Sequence, residues 1–222
     1  MHSVVITGGS GVVGARALSL LLARDDVSAV TALGRRALSV THPKLTSKVV
    51  DLQSVPRMAA EIPEGVTLAV CCLGTTMKQA GSKEAFRAVD HDAVVAFGEA
   101  ALQRGAKRFV LVSSLGADAG AGGFYLKTKG EAEEALARLG FAQLTVLRPS
   151  ILDDGGTRTE NRIGERIALP LARAVFAVVG KTRRYAPIPI DTVARALVRV
   201  AFDDTTAPRR TLESDQLHAL GA

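Results

Sequence analysis

Short apolar runs alternate with helical patterns along the first two thirds of the chain. Runs rich in Val, Ile and Leu predict six strands, at residues 3–7, 28–33, 48–51, 66–73, 107–113 and 143–148. Apolar residues at helical spacing predict helices between them, chiefly at 13–24, 82–100 and 124–139. Strands this apolar, separated by helices, are typical of a parallel sheet covered on both faces. We therefore expect a doubly wound α/β fold that binds its ligand at the carboxyl ends of the strands.

The pattern changes after Pro149. Residues 153–166 are polar and contain glycine, a proline-interrupted helical stretch follows, and 191–202 has the pattern of a last strong helix. We interpret 1–150 as the ligand-binding core and 151–222 as a small C-terminal substrate cap, interleaved with the core in one structural domain.

A glycine-rich loop, TGGSGVVG at residues 7–14, lies between the first strand and the first helix. Gly9, Gly11 and Gly14 spell G-x-G-x-x-G, while Gly8, Gly11 and Gly14 spell G-x-x-G-x-x-G, and spacing alone leaves both registers open. Such a loop lets backbone N–H groups approach a pyrophosphate, and the following helix directs its positive end at the phosphates. A P-loop requires Lys and Ser/Thr after its last glycine, and neither follows here. The loop predicts dinucleotide binding, with a ligand-free glycine turn as the alternative.

The end of the second strand bears on which dinucleotide binds. An NAD site places Asp or Glu there for the ribose hydroxyls, but this chain has Arg35 and Arg36. Two guanidinium groups suit the 2′-phosphate of NADP(H), with a solvated basic turn as the alternative. Residues after the third and fourth strands are expected against the adenine and ribose, namely Asp51, Leu52, Leu73, Gly74 and Thr75.

Tyr125 and Lys129 share one face of the predicted helix, because they are four residues apart. A neighbouring ammonium favours the phenolate form of a tyrosine, whose ordinary pKa is about 10, and so makes proton exchange with a substrate oxygen feasible. Ser113 and Ser114 close the fifth strand, where either hydroxyl could polarise a carbonyl. With the glycine loop, these residues predict an oxidoreductase acting on a small carbonyl or alcohol. The acidic residues farther along this helix are expected on its solvated face, namely Glu131, Glu133 and Glu134.

Several motifs resemble the short-chain dehydrogenase/reductase superfamily: TGGSGVVG (7–14), VSSLGA (112–117), YLKTK (125–129) and LRPS (147–150). They are most similar to its atypical branch of NmrA-like and epimerase-like proteins. Within that branch, CLGTTMKQAG (72–81) and the short cap resemble the Tat-interacting-protein oxidoreductases. The resemblance extends over nearly the whole chain, to about residue 202.

The resemblance implies a Rossmann fold, the register of Gly8, Gly11 and Gly14, and NADPH as cofactor. The residues implied to bind the cofactor are Ser10, Gly11, Val12, Val13, Arg35, Arg36 and Arg148. By analogy Tyr125 is the proton donor and acceptor, Lys129 holds the nicotinamide ribose, and Ser113 or Ser114 orients the carbonyl. Many members carry Asn where this chain has Asp90. Because the branch also includes NADPH-binding regulators, a redox-sensing protein with little turnover is the alternative.

Composition limits the partners and the location. The net charge is +6, but without a basic tail or interleaved aromatic residues it does not indicate nucleic-acid binding. Neighbouring strand residues point to opposite faces, so Cys71 and Cys72 do not favour a disulfide. We expect a soluble cytoplasmic protein with a small-molecule substrate and no membrane or metal site, as a monomer or a homodimer. Three arginines in the cap could clamp an anion or form a solvated lid, namely Arg158, Arg162 and Arg166.

Overall fold

A parallel sheet forms the centre of the protein. The structure is a computed structural model that describes residues 1–153, 155, 184–203 and 205–222. The strands of the sheet are β1 (His2–Thr7), β2 (Val27–Gly34), β3 (Leu45–Val49), β4 (Leu68–Cys71), β5 (Arg108–Val112), β6 (Gln143–Arg148) and β9 (Arg209–Glu213). Their order is β3-β2-β1-β4-β5-β6-β9, with every neighbouring pair parallel. Two short strands, β7 (Leu152–Asp153) and β8 (Ile188–Pro189), pair with each other. This architecture confirms the predicted doubly wound α/β fold.

Helices cover both faces of the sheet. They are α1 (Val12–Leu22), α2 (Val55–Glu61), α3 (Met77–Ala80), α4 (Lys83–Arg87), α5 (Ala93–Gln103), α6 (Phe124–Arg138), α7 (Ile190–Ala201) and α8 (Ser214–Leu220). One core joins Val4 and Ile6 of β1 to α1 and α7, and the other joins Val5 of β1 to α2, α5 and α6. Alternate residues of one strand therefore pack into opposite layers, as a central strand requires. No helix in the described ranges is both long and apolar enough to cross a membrane.

The strand order reverses next to β1, which places a crevice at the carboxyl ends of β1 and β4. Thr7, the last residue of β1, is paired with Leu33 of β2 on one side and with Cys71 of β4 on the other. The segments that follow these three strands therefore emerge at the same edge of the sheet. The glycine loop, the Arg35-Arg36 pair and the residues after Cys71 are thereby brought close together.

The helix predicted over 82–100 is interrupted. Ser82 caps α4, since its Oγ accepts a hydrogen bond from the Ala85 N–H at 3.1 Å. A π-helical turn, Ala88–Asp92, then separates α4 from α5. The wider turn directs Asp90 into the interior, where it is 0% exposed. Such turns are frequent at functional sites, and apolar periodicity does not reveal them because a helical stripe continues on both sides.

The C-terminal segment contributes to the core. α7 packs on α1 in one of the two cores, and β9 extends the sheet beside β6. The described part of the predicted cap from Ile188 onward therefore belongs largely to the central layers. Arg158, Arg162, Arg166 and the proline-interrupted helix lie outside the described residues.

Candidate functional site

The backbone of the glycine loop has no room for side chains at two of its glycines. Gly8 has a φ of +75°, and a Cβ on it would lie 2.4 Å from the carbonyl carbon and oxygen of Cys72. A Cβ on Gly14 would lie 2.1 Å from the carbonyl oxygen of Gly8, and one on Gly11 3.2 Å from the same atom. At Gly9 the nearest atom would be a leucine side-chain carbon at 3.5 Å, an ordinary contact. The fold therefore demands glycine at Gly8 and Gly14. Of the two positions that distinguish the registers, Gly8 is the one without room for a side chain, which favours the G-x-x-G-x-x-G register.

The N-terminus of α1 opens onto this loop with free hydrogen-bond donors. Gly11 donates its N–H to the Gly8 carbonyl at 2.9 Å and precedes the first helical residue. No side chain caps the helix and no acidic residue lies in its first turn. The N–H groups of Val12, Val13 and Gly14 therefore have no acceptor within the helix. This cradle fits the phosphates of a dinucleotide, because the helix dipole and the free donors both favour an anion there.

Arg35 and Arg36 follow β2 beside the loop. Both are exposed, and neither forms an ion pair with another described residue. Arg36 borders, together with Gly9 and Ser10, a cavity of about 740 Å³ between α1 and residues 36–42. Arg36 thus stands next to the phosphate cradle, with space for a further group between it and α1, and Arg35 precedes it directly after β2.

The residues predicted against the adenine and ribose are differently placed. Asp51 is exposed and accepts a hydrogen bond from the Gln53 N–H at 3.0 Å, whereas Leu52 packs into the core. Leu73 and Gly74 directly follow Cys72, whose carbonyl group lies close to Gly8. Their contact with a cofactor stays a prediction.

Lys129 of α6 is buried beside the segment that follows Cys72. Its Nζ is 2.7 Å from Oδ1 of Asp90, and both side chains are almost fully enclosed. A Cβ on Gly74 would be 3.4 Å from the same Nζ. The stretch from Cys72 to Thr75 therefore runs from the glycine loop to Lys129 and connects the predicted cofactor-binding residues with the predicted catalytic lysine.

Tyr125, one turn before Lys129, is the exposed member of the pair. Its side chain is 36% exposed, and its ring packs against Phe86 with centroids 5.3 Å apart. Behind it, Gly130 permits close passage of another segment, since a Cβ there would lie 2.2 Å from the backbone of Asp118. The Tyr125 side chain is thus partly exposed, while α6 lies closely against the backbone of Asp118.

The electrostatics of the pair favour a charged lysine. Burial has the largest single effect and lowers the pKa of the Lys129 ammonium, but Asp90, Tyr125 and Cys71 together outweigh it. The net result is a Lys129 pKa above its ordinary value. Lys129 therefore keeps its proton at neutral pH, which is the state that stabilises a phenolate beside it.

The two serines after β5 differ in what they contact. Ser113 is buried, and its Oγ donates a hydrogen bond to Oε1 of Glu133 at 2.5 Å. Glu133 also accepts from Arg148, through Nε at 3.1 Å and Nη2 at 2.5 Å. Ser114 is half-buried, and its hydroxyl has no partner among the described side chains and backbone. Of the two serines, Ser114 has the hydroxyl available to a substrate.

Glu133 corrects an expectation from the sequence. It is 1% exposed rather than on the solvated face of α6, and it binds Ser113 and Arg148. Its spacing gave a signal, because Tyr125, Lys129 and Glu133 follow at intervals of four and so share one helix face. Arg148 is therefore engaged by Glu133, and a cofactor contact from it stays a prediction.

The cysteines beside the crevice are both free thiols, as expected. Burial raises the pKa of Cys71 and of Cys72. Thiols held in their protonated form are poor nucleophiles. Across the described ranges, no three His, Cys, Asp or Glu side chains are grouped to hold a metal ion.

The sequence and the fold of the chain were compared with those of known proteins. Residues 8–204 match a family described as NAD(P)H-binding. Protein HTATIP2 of Rattus norvegicus is 35% identical over 224 residues, which span 99% of this chain and 89% of that protein. The solved structure of the Bordetella bronchiseptica enzyme WbmH in complex with NAD⁺ superposes with a TM-score of 0.70. That likeness covers 96% of this chain and 76% of WbmH at 18% identity, and it shows the fold alone.

Fungal relatives correct the expected location. The protein named fmp52, mitochondrial, from Emericella nidulans is 32% identical over 91% of this chain and 88% of its own length. Relatives from Coccidioides immitis and Eremothecium gossypii carry the same mitochondrial name. These names contradict the cytoplasmic location expected from the sequence, and that expectation is wrong.

The matched family and the relatives show to which family the protein belongs. The chain belongs to the NAD(P)H-binding family, within the short-chain dehydrogenase/reductase superfamily that its motifs resemble.

Proposed function

We propose that the protein is an NADP(H)-dependent oxidoreductase that interconverts small carbonyl compounds and alcohols. The observation that carries this proposal is the Tyr125–Lys129 pair. The segment from Cys72 to Thr75 connects it to the glycine loop. Its exposed phenol and buried ammonium are the groups needed to move a proton at a substrate oxygen.

In this proposal one set of residues binds the cofactor and another transfers the proton. The N-terminus of α1 would hold the cofactor phosphates, and the nicotinamide would supply the hydride in carbonyl reduction or accept it in alcohol oxidation. Tyr125 donates its hydroxyl proton to the substrate oxygen in carbonyl reduction and takes it back in alcohol oxidation. Lys129 stabilises the phenolate that forms when Tyr125 gives up the proton. Ser114 donates a hydrogen bond to the substrate oxygen, where negative charge develops.

The two neighbouring serines provide a matched test of this arrangement. NADPH oxidation with a panel of small aldehydes and ketones is measured for wild type, Ser114→Ala and Ser113→Ala. Ser114→Ala is expected to lower kcat on the order of 10²-fold, because it removes a donor aimed at the developing oxyanion. Ser113→Ala is expected to retain more activity, since its hydroxyl is bound to Glu133. Equal losses, or a larger loss in Ser113→Ala, contradict the assignment of Ser114.

The preference for NADP(H) is supported by Arg35 and Arg36, which are exposed and form no ion pair within the described part of the chain. Calorimetric titration is expected to give NADP⁺ a roughly ten- to hundredfold lower Kd than NAD⁺, because hydrogen bonds to charged groups contribute about 1.5–3 kcal/mol each. Arg35→Ala removes most of this difference by weakening NADP⁺ alone. Arg138→Ala, which changes an exposed arginine at the end of α6, is the control and keeps it. Equal affinities for the two cofactors in the wild type overturn the NADP(H) preference.

A further inference from the structure

The cavity between α1 and residues 36–42 extends well beyond the predicted phosphate site. Ser10 and Arg36 border it near the glycine loop, and its lining then follows α1 from Ala15 to Ala23. At 1.5 Å per residue this stretch of helix is about 12 Å long. A single phosphate group at Arg36 would therefore fill a small part of the cavity. The whole volume, about 740 Å³, lies within the range of roughly 300–1,000 Å³ that is typical of sites for small organic molecules.

The cavity exists because the connection from β2 to β3 is short. Parallel strands are usually joined by a helix, but residues 35–44, which join β2 to β3, contain none. On this flank α1 therefore faces a loop, and the space that a second helix would fill stays open.

Hydrogen bonds fix the loop that forms the outer wall of the cavity. The N–H of Leu38 donates to Oγ of Ser47 in β3 at 3.0 Å. Nζ of Lys44 donates to the carbonyl oxygen of Arg24 at 2.6 Å, and the Lys44 N–H donates to Nδ1 of His42 at 3.1 Å. The cavity is therefore preformed, so a ligand does not have to order the loop when it binds.

The lining combines an apolar wall with a cationic group. Leu18 and Leu22 of α1 face Leu38 and Val40 of the loop across the cavity. Arg36 is exposed and forms no ion pair with another described residue, and no described Asp or Glu lines the cavity. These surfaces fit a molecule with an apolar body and one carboxylate, which a guanidinium binds through two parallel hydrogen bonds. A phosphate monoester suits the cavity less well, because it carries up to two negative charges at neutral pH.

We propose that this cavity is a second ligand site, which binds an apolar carboxylate with its chain along α1 and its anionic end on Arg36. The proposed cofactor preference places the 2′-phosphate of NADP(H) on the same arginine, so the two ligands compete. This competition rests on the proposed function. The binding of the carboxylate does not, and it can be measured without a cofactor.

Straight-chain carboxylates of increasing length test the chemistry of the site. Calorimetric titration of the wild type without cofactor compares butanoate, hexanoate and octanoate, with 1-octanol as the uncharged probe. Each buried methylene group is expected to lower the Kd about fourfold. Octanoate is expected to bind roughly tenfold more tightly than octanol, because its carboxylate forms charged hydrogen bonds with Arg36. Arg36→Gln is expected to remove that difference while leaving octanol binding unchanged.

Two exposed valines provide a matched pair of variants for the position of the site. Val40→Glu places a negative charge in the wall of the cavity and is expected to weaken octanoate binding by about tenfold or more, because like charges repel. Val49→Glu makes the same change at the end of β3, outside the lining of the cavity, and is expected to bind octanoate as the wild type does. Both side chains are about half exposed or more, so neither change disturbs the core.

The competition is measured by titrating the two cofactors in the presence of octanoate. At an octanoate concentration ten times its Kd, the apparent Kd of NADP⁺ is expected to rise by up to about tenfold. The Kd of NAD⁺, which has no 2′-phosphate, is expected to stay nearly unchanged.

Three results would overturn the second site: equal Kd values for butanoate and octanoate, equal Kd values for octanoate and octanol, or equal effects of Val40→Glu and Val49→Glu. An unchanged Kd of NADP⁺ in saturating octanoate would overturn the shared use of Arg36. A wild type that binds octanoate as expected but binds NADP⁺ and NAD⁺ equally refutes the NADP(H) preference and supports the second site.

Discussion

Tyr125→Phe is expected to lower kcat by roughly 10²–10⁴-fold, the contribution of a positioned acid–base group. The substitution removes only the phenolic oxygen, so the ring still packs against Phe86 and α6 is undisturbed. Since the proposal places the cofactor phosphates at α1, away from Tyr125, the affinity for NADPH is expected to stay at the wild-type value. Steady-state kinetics and calorimetric titration of the same preparation measure the two quantities.

The chain offers a matched control for this variant. Tyr185→Phe makes the same chemical change at the other tyrosine, which is 49% exposed and close to β8. Its kcat is expected to remain near that of wild type. If Tyr125→Phe kept full turnover, or lost cofactor binding along with it, the assignment of Tyr125 as the proton donor would be wrong.

Gly14→Ala is expected to abolish cofactor binding and to destabilise the protein. Its Cβ would lie 2.1 Å from the Gly8 carbonyl oxygen, and both atoms belong to rigid backbone between β1 and α1. Relief of the clash requires α1 to move away from the loop, which would move its N–H groups away from the proposed position of the phosphates. Overpacking of this kind costs about 1–3 kcal/mol of folding free energy. Thermal unfolding and NADPH titration measure the two losses.

Gly9→Ala separates this effect from a general cost of alanine in the loop. A Cβ on Gly9 meets its nearest atom at 3.5 Å, so stability and NADPH affinity are expected to remain close to wild type. Equal losses in Gly9→Ala and Gly14→Ala contradict the loop geometry described above and favour the G-x-G-x-x-G register instead.

Local sequence signals predicted most of the sheet. Five of the strands, β1, β2, β4, β5 and β6, are apolar because both of their faces are covered, and runs of Val, Ile and Leu reveal them with errors of a few residues. The edge strand β3 (LTSKV) has no buried residue, so the apolar run predicted at 48–51 located it only in part. β9 is different. Its sequence, RRTLE, is polar because it lies at the edge of the sheet beside β6, so no apolar run marks it. The π turn is also hidden, since one inserted residue does not interrupt the apolar stripe.

The candidate site shows the same division between local and long-range information. The glycines and the Tyr125–Lys129 pair are recognisable because their function depends on spacing within one short segment. The contacts of Asp90 with Lys129 and of Ser113 with Glu133 join residues 39 and 20 positions apart. Only the fold brings such residues together. This is why the sequence left Ser113 and Ser114 as equals and placed Glu133 in solvent.

The most direct test of the central claim follows the hydride itself. Wild type and Tyr125→Phe are incubated with NADPH that carries deuterium at the transferable C4 position and with a panel of small carbonyl compounds, and the alcohols are analysed by mass spectrometry. The account predicts deuterium in an alcohol product with wild type and its near absence with Tyr125→Phe. Tight NADPH binding by wild type without transfer to any carbonyl would contradict the account and would indicate a redox-sensing binding protein instead.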